Sequence, residues 1–108
     1  MSGQQLKGHL EGLVMAILEG GPAHGYAIIE SLRSGSDGVF DLPEGTIYPA
    51  LHRLEDAGWV TSSREVVDGR SRRIYRLAPA GRRSLAQCRA SWREFSSAVT
   101  RVLKVNPA

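Results

Sequence analysis

The sequence lacks several features that mark common classes of protein. Its 108 residues include one cysteine, Cys88, so no disulfide can form within the chain. No apolar run is long enough to cross a membrane, and the opening residues lack the basic and apolar segments of a secretory signal. We therefore expect a cytoplasmic protein with no membrane partner, because a chain without disulfides suits a reducing compartment.

Signatures of catalysis and metal binding are missing too. The three histidines, His9, His24 and His52, lie far apart in the sequence, and none is near Cys88, so no metal-ligand spacing is present. The sequence contains no Gly-rich phosphate loop, nucleophile elbow or paired-carboxylate pattern. We expect neither an enzyme nor a bound metal or cofactor.

Charge is distributed unevenly along the chain. The net charge is only +3, yet residues 1–63 carry three basic and eight acidic side chains, whereas residues 64–93 carry nine arginines and two acidic side chains. Such a basic block suits contact with phosphate. A charge run taken alone is more often a solvated face, so its meaning depends on the elements around it.

Hydrophobic periodicity predicts a mainly α-helical chain with one small β-hairpin. The predicted helices cover residues 5–19, 24–34, 44–57 and 79–104. Residues 61–77 favour strands and contain the turn dipeptide Asp68-Gly69. This order is that of a winged helix-turn-helix, in which the second helix of the motif enters the DNA major groove.

The third predicted helix, EGTIYPALHRLEDAGW, has one apolar face and one suited to DNA. Its apolar stripe is Ile47, Leu51 and Leu54. A glycine on the other face allows close approach to a groove, and threonine, tyrosine, histidine and arginine can contact bases or phosphates. The predicted DNA contacts are Gly45, Thr46, Tyr48, Pro49, His52 and Arg53. The alternative is an irregular helix start, with Tyr48 partly in the core.

The predicted hairpin carries arginines beside its turn. Arg70, Arg72 and Arg73 follow Asp68-Gly69, where a wing touches the DNA backbone or minor groove. Arg76 is expected to pair with an acidic neighbour. A three-helix bundle without a partner has no need for so many arginines, so the hairpin favours DNA binding.

These motifs together resemble the PadR family of bacterial transcription regulators. The resemblance rests on GTIYPALHRLEDAGWV, on DGRSRRIYRLAPAGR and on HGYAII at residues 24–29, and it covers about residues 8–84. Ile47 stands where leucine is usual, and Ala78 replaces a threonine whose hydroxyl would cap the next helix. The resemblance implies a dimer that binds a palindromic operator and usually represses transcription.

The last predicted helix carries a seam of the coiled-coil type. Its residues are spaced alternately by three and four: Leu85, Cys88, Trp92, Phe95, Val99 and Val102. A second copy of the chain is the simplest cover for this seam, which predicts a twofold dimer with a buried, inert Cys88. Alternatively the helix folds back on the first helix, and both arrangements can coexist. We divide the chain into a DNA-binding domain, 1–78, and a dimerisation helix, 79–108.

Trp92 lies midway along this seam, so a twofold dimer could bring two tryptophans face to face. The short-chain, multidrug-sensing branch of the PadR family is similar, with a single last helix and a tryptophan that stacks bound drugs. A planar aromatic ligand would then contact Trp92 and the facing residues of the first helix, Gln5, His9, Gly12 and Ala16. The alternative is that Trp92 only packs in the dimer core.

The sequence therefore predicts a sequence-specific DNA-binding transcriptional regulator. We expect a repressor that a small aromatic ligand at the dimer interface relieves. Two alternatives remain open: a protein-interaction adaptor on a winged-helix scaffold, whose arginines dock an acidic partner, and a PadR-type regulator without a small-molecule inducer.

Overall fold

The computed structural model describes the backbone of residues 3–105 and the side chains of residues 9–105. Within this part of the chain there are four α-helices and three β-strands. In chain order they are α1 Gly3–Glu19, β1 Ala23–His24, α2 Gly25–Gly35, α3 Glu44–Asp56, β2 Val60–Val67, β3 Arg70–Leu77 and α4 Pro79–Leu103. The predicted fold class, mainly α with a small β-hairpin, is confirmed.

The predicted hairpin is formed by β2 and β3, which pair antiparallel from Val60–Leu77 to Val67–Arg70. Asp68 and Gly69 make the two-residue turn with φ of 50° and 78°. Positive φ at both positions is what a type I′ turn requires, and its twist matches that of the flanking strands. The turn thereby sets the register of the whole wing.

A third strand, β1, was not predicted. It pairs antiparallel with β3 through Ala23–Tyr75 and His24–Ile74, so the sheet order is β1-β3-β2. Two residues are too few for an alternating pattern to be visible in the sequence. This short pairing joins the start of α2 directly to the wing.

One hydrophobic core lies between α1, α2, α3 and the sheet. The inner face of α3 is buried as predicted, with Ile47, Leu51 and Leu54 excluded from solvent. Each buried side chain of this size contributes about 1.5–3 kcal/mol through loss of apolar surface from water. The remaining core members are Leu10, Val14, Met15, Leu18, Ile28, Leu32, Ala50, Val60, Tyr75 and Leu85.

Gly58 terminates α3, directly after the end of the predicted helix at residue 57. Its φ is +77°, and its N–H donates to the Glu55 carbonyl at 2.9 Å. The next N–H, of Trp59, donates to the Leu54 carbonyl at 3.0 Å. These two bonds form a Schellman cap, which turns the chain from α3 into β2.

The last helix folds back on α1. Pro79 is in its first turn, and Ala78 at the N-cap makes no side-chain capping bond. Leu85 is only 2% exposed and belongs to the core of its own subunit. Its prediction as a dimer-interface residue was therefore wrong, because the core of its own subunit already covers it.

Two close contacts hold α4 against α1. A Cβ placed on Gly12 would lie 3.4 Å from both the Cβ and the Sγ of Cys88, so a glycine lets the helices approach closely there. Arg89 donates two hydrogen bonds to the Glu19 carboxylate, at 2.9 and 3.1 Å. Cys88 is exposed in the single chain. Its predicted burial requires a second subunit and therefore stays a prediction.

No helix in residues 3–105 has an apolar stretch of the length that a bilayer crossing requires. The same part of the chain brings no three His, Cys, Asp or Glu side chains together in a way that could hold a metal ion.

Candidate nucleic-acid interface

The outer face of α3 is open in its first two turns. Gly45, Pro49 and His52 are exposed, and Thr46 is half-buried. A Cβ on Gly45 would meet no atom within 4 Å. Since Pro49 has no N–H, the Gly45 carbonyl has no partner four residues ahead in the helix. The first turns of α3 thus combine an exposed glycine with a carbonyl that lacks its usual helical donor.

Tyr48 lies at the junction of α2 and α3. Its phenol packs so tightly on Gly25 that a Cβ at position 25 would overlap the hydroxyl oxygen and the ring. The side chain is half-buried and packs against the core, which is the alternative role that the sequence left open. Its exposed edge still lines the surface beside the wing.

Arg53 is turned toward α1 rather than outward. Its Nε donates to Glu11 Oε1 at 2.6 Å. This geometry differs from the expected DNA contact, because a carboxylate already neutralises the guanidinium. The helical periodicity of α3 alone cannot reveal this ion pair, since Glu11 is 42 residues away from Arg53 in the sequence.

The arginines of the wing differ in their partners. Arg76 forms an ion pair with Glu65 at 2.6 Å, as expected, and the bond from Arg76 holds the pKa of that carboxyl below its usual value. Arg73 donates only to the Ser62 hydroxyl, at 3.0 Å. Arg70 and Arg73 are exposed, and Arg72 is half-buried.

Arg64 joins this group, although the sequence analysis did not select it. The register of the hairpin places Arg64 directly opposite Arg73 on the neighbouring strand. The pair could have been predicted from the sequence, because a two-residue turn fixes the register and therefore every cross-strand partner. Two like charges directly opposite each other destabilise the free sheet, and a bound anion would relieve that repulsion.

These elements meet at one open cleft of about 350 Å³. Its lining comes from the start of α2, from α3 and from both strands of the wing: His24, Gly25, Tyr26, Tyr48, Arg64, Arg70, Ser71, Arg72 and Arg73. None of these lining residues, all within the described part of the chain, is a carboxylate. Four arginines with hydroxyl and imidazole groups suit an anionic ligand.

Tyr26 is a further lining residue of the cleft that the sequence did not single out. It lies in the first turn of α2, and its side chain is 58% exposed. The Glu44 carboxylate, at the start of α3, raises the pKa of the Tyr26 phenol through a side-chain hydrogen bond. Tyr26 thus links the beginnings of both helices of the motif.

Two of the residues predicted to contact a ligand, His9 and Trp92, lie together. The His9 ring stands edge-on to Trp92, with 5.2 Å between centroids and an interplanar angle of 77°. Phe95 lies 5.9 Å from Trp92 and 6.5 Å from His9. Three aromatic rings from α1 and α4 therefore form one cluster.

The other predicted ligand residues are placed differently. Gly12 packs against Cys88, and Ala16 is partly buried against the core, so neither opens space beside Trp92. The side chain of Gln5 lies outside the described residues. Only His9, of the residues predicted to accompany Trp92, is seen to contact it.

Comparison with known proteins agrees with this geometry. The model of the PadR-like family of transcriptional regulators matches residues 14–87, which include the helix-turn-helix, the wing and the start of α4. The chain belongs to this family. The family consists of transcriptional regulators rather than enzymes, and DNA binding is expected of its members.

The transcriptional regulator Rv3488 of Mycobacterium tuberculosis is 51% identical over 55 residues. That segment is 51% of this PadR-like chain and 51% of the relative, so the match spans about half the length of that relative.

Solved structures of PadR-like regulators share the fold over nearly the whole chain. The regulator from Bacillus cereus strain ATCC 14579 is 27% identical, with a TM-score of 0.82, and the match covers 95% of this chain and 99% of that one. The regulator from Eggerthella lenta DSM 2243 is 30% identical, with a TM-score of 0.80, and the match covers 95% and 88%. The winged helix-turn-helix is therefore confirmed.

Proposed function

We propose that this PadR-like protein is a cytoplasmic, homodimeric repressor that binds a palindromic DNA operator. The observation that carries the proposal is the cleft at which α2, α3 and the wing converge. Helix α3 corresponds to the helix that enters the major groove in this class of protein. An arginine-lined cleft beside that helix lies where the DNA backbone would run.

The proposed contacts fall into two groups. Residues on the open face of α3 would read base edges: Gly45, Thr46, Pro49 and His52. Side chains of the cleft would hold phosphates without regard to sequence: Tyr48, Arg70, Arg72 and Arg73. Arg53 contributes only after it has left Glu11.

The exposed face of α4 supports the dimer. Trp92, Phe95 and Val102 are 47%, 51% and 81% exposed, although their spacing is that of a buried seam. Contiguous apolar patches of this kind usually mark an interface. A second copy of α4 would cover them, through an interface of Cys88, Trp92, Phe95, Val99 and Val102, and would set the two α3 helices about one duplex turn apart.

A planar aromatic compound is the proposed inducer. In the dimer it would stack between the two copies of Trp92, next to His9 and Phe95. Binding relieves repression only if the compound has higher affinity for the state that does not fit the operator. Fluorescence of Trp92 in a Trp59→Phe variant tests this step, with planar cationic and phenolic compounds as the panel. If none of them quenches the emission, the protein is a regulator without such an inducer.

A gel shift with DNA from upstream of the protein's own gene tests the main proposal. We expect a discrete complex that survives an excess of random-sequence duplex, with protection of two half-sites in a footprint. Equal binding to both DNAs contradicts an operator. Absence of binding to either would favour the adaptor, whose arginines dock an acidic protein.

A further inference from the structure

His24 lies at the point where α2, the sheet and the wing meet. It is the last residue of β1, it pairs with Ile74 of β3, and it is the N-cap of α2. Its Nδ1 accepts a hydrogen bond from the Ala27 N–H at 3.2 Å. Nη1 of Arg72 lies 3.4 Å from the same ring nitrogen. One atom of His24 thus contacts both the first helix of the motif and an arginine of the wing.

Both neighbours of Nδ1 are donors, because a guanidinium has no acceptor. Nδ1 must therefore be unprotonated, and the neutral ring carries its proton on Nε2. Protonation of Nδ1 would remove the cap of α2 and would place a cation at the positive end of the helix dipole. It would also set that cation against the guanidinium of Arg72. All three effects disfavour protonation of Nδ1.

The other groups around His24 also favour its neutral form. Facing it across the cleft are Tyr26 of α2, Tyr48 of α3, Arg64 of β2, and Arg70, Arg72 and Arg73 of β3. All the charges among them are positive. Burial, followed by the charge of Arg72, holds the pKa of His24 below its ordinary value of 6.5.

We propose that neutral His24 is a positioning residue for DNA binding: it holds Arg72 in place for a backbone phosphate while it caps α2. This inference rests on the proposed DNA binding. It has a direct consequence for pH, because acidification releases Arg72 and weakens the contact. If His24 instead contacted phosphate as a cation, acidification would strengthen binding.

The test compares the wild type with His24→Asn, which keeps a side-chain acceptor at the N-cap and removes the titrating ring. Affinity for a random-sequence duplex is measured at low salt from pH 8 down through the pH at which NMR shows the His24 ring to be protonated. At pH 8 we expect the wild type to bind on the order of tenfold more tightly, the value of one charged hydrogen bond. The ratio should fall towards one as His24 is protonated. A ratio that stays constant, or that rises at low pH, overturns the proposal.

A second measurement needs no DNA. NMR of the His24 ring should show the proton on Nε2 at pH 8, and Arg72→Ala should raise the pKa of His24. A proton on Nδ1, or a pKa that Arg72→Ala leaves unchanged, contradicts the inference even if His24→Asn does not fold. Failure of the wild type to bind duplex at any pH would count against the proposed function alone.

Discussion

Arg53 of α3 and Glu11 of α1 form an ion pair with 2.6 Å between Nε and Oε1. The pair ties the proposed reading helix to α1, and α1 also carries His9 against Trp92. Helix α1 therefore touches both the proposed DNA-binding and ligand-binding parts of the subunit. The pair also withholds one cation of α3 from DNA.

Glu11→Gln should release Arg53. Because the pair is partly exposed, we expect a loss of only about 0.2–1 kcal/mol in the free energy of unfolding. Affinity for random-sequence duplex should rise, and the salt slope should steepen by about one, as a further cation meets a phosphate. Glu30→Gln is the matched control, since Glu30 pairs with Arg33 on α2 and its loss changes the net charge equally. An unchanged slope in Glu11→Gln would show that Arg53 does not reach DNA.

Arg72→Ala should weaken binding to specific and random DNA alike. The salt slope should fall by about one, because one phosphate contact is lost. Arg76→Ala serves as the control, since Arg76 already pairs with Glu65 and should change the slope less. Equal slopes for Arg72→Ala and the wild type would remove Arg72 from the phosphate contacts. Fluorescence anisotropy over a range of salt concentrations measures both quantities.

Gly25→Ala should destabilise the fold. The new methyl would overlap the Tyr48 hydroxyl and ring, and overpacking of this kind costs about 1–3 kcal/mol. Gly45→Ala is the comparison, since its methyl meets open space and should stabilise α3 by about 0.5–1 kcal/mol. The same change should reduce DNA affinity, because position 45 lies on the face of α3 proposed to enter the groove. Chemical denaturation measures the stability of both variants, and gel shifts measure their DNA affinity. A Gly45→Ala variant that is less stable, or that binds DNA as tightly as the wild type, would contradict the prediction.

Val102→Asp should dissociate the proposed dimer. Val102 is exposed in the single subunit, so the substitution should leave the subunit folded while it introduces a charge at each side of the seam. Val39→Asp is the control, because Val39 is equally exposed but lies outside α4. Sedimentation equilibrium should give a dimer for the wild type and Val39→Asp and a monomer for Val102→Asp. A wild-type monomer would rule out the dimer, and a Val102→Asp dimer would move the interface elsewhere.

Acid should weaken the contact between α1 and α4. The hydrogen bonds from Arg89 lower the pKa of Glu19 below its ordinary value of 4.5. A carboxyl with a depressed folded-state pKa stabilises the protein above its unfolded pKa, and this contribution disappears as the pH falls through the folded value. The melting temperature of the wild type should therefore exceed that of Glu19→Gln at pH 6, and the difference should vanish as the pH falls through the folded-state pKa of Glu19. A constant difference would show that Glu19 stabilises the fold without its charge.

The sequence predicted those features that depend on local pattern. The period of Ile47, Leu51 and Leu54 identified the buried face of α3, and Asp68-Gly69 identified the turn of the wing. Both depend on neighbours within a few residues. An acidic partner of Arg76 was also expected, but the register alone does not identify it: Thr61 lies opposite Arg76, and the arginine reaches Glu65 further along β2.

Features that depend on packing between distant elements were missed or misplaced. Leu85 has the spacing of a dimer seam, yet it is buried in the core of its own subunit. Arg53 faces outward on a wheel of α3, yet Glu11 reaches it from α1. In each case the deciding neighbour lies on another element, and the period of one helix carries no information about it.

The two-residue strand β1 limits how each subunit can adapt to DNA. Since Ala23 and His24 bond to β3, the wing cannot swing away from the start of α2 without breaking the sheet. The distance between the wing and the helix in the groove is then nearly fixed within one subunit. A proposed dimer that accommodates operators of different length must bend where its two α4 helices meet, so half-site spacing would report on that joint alone.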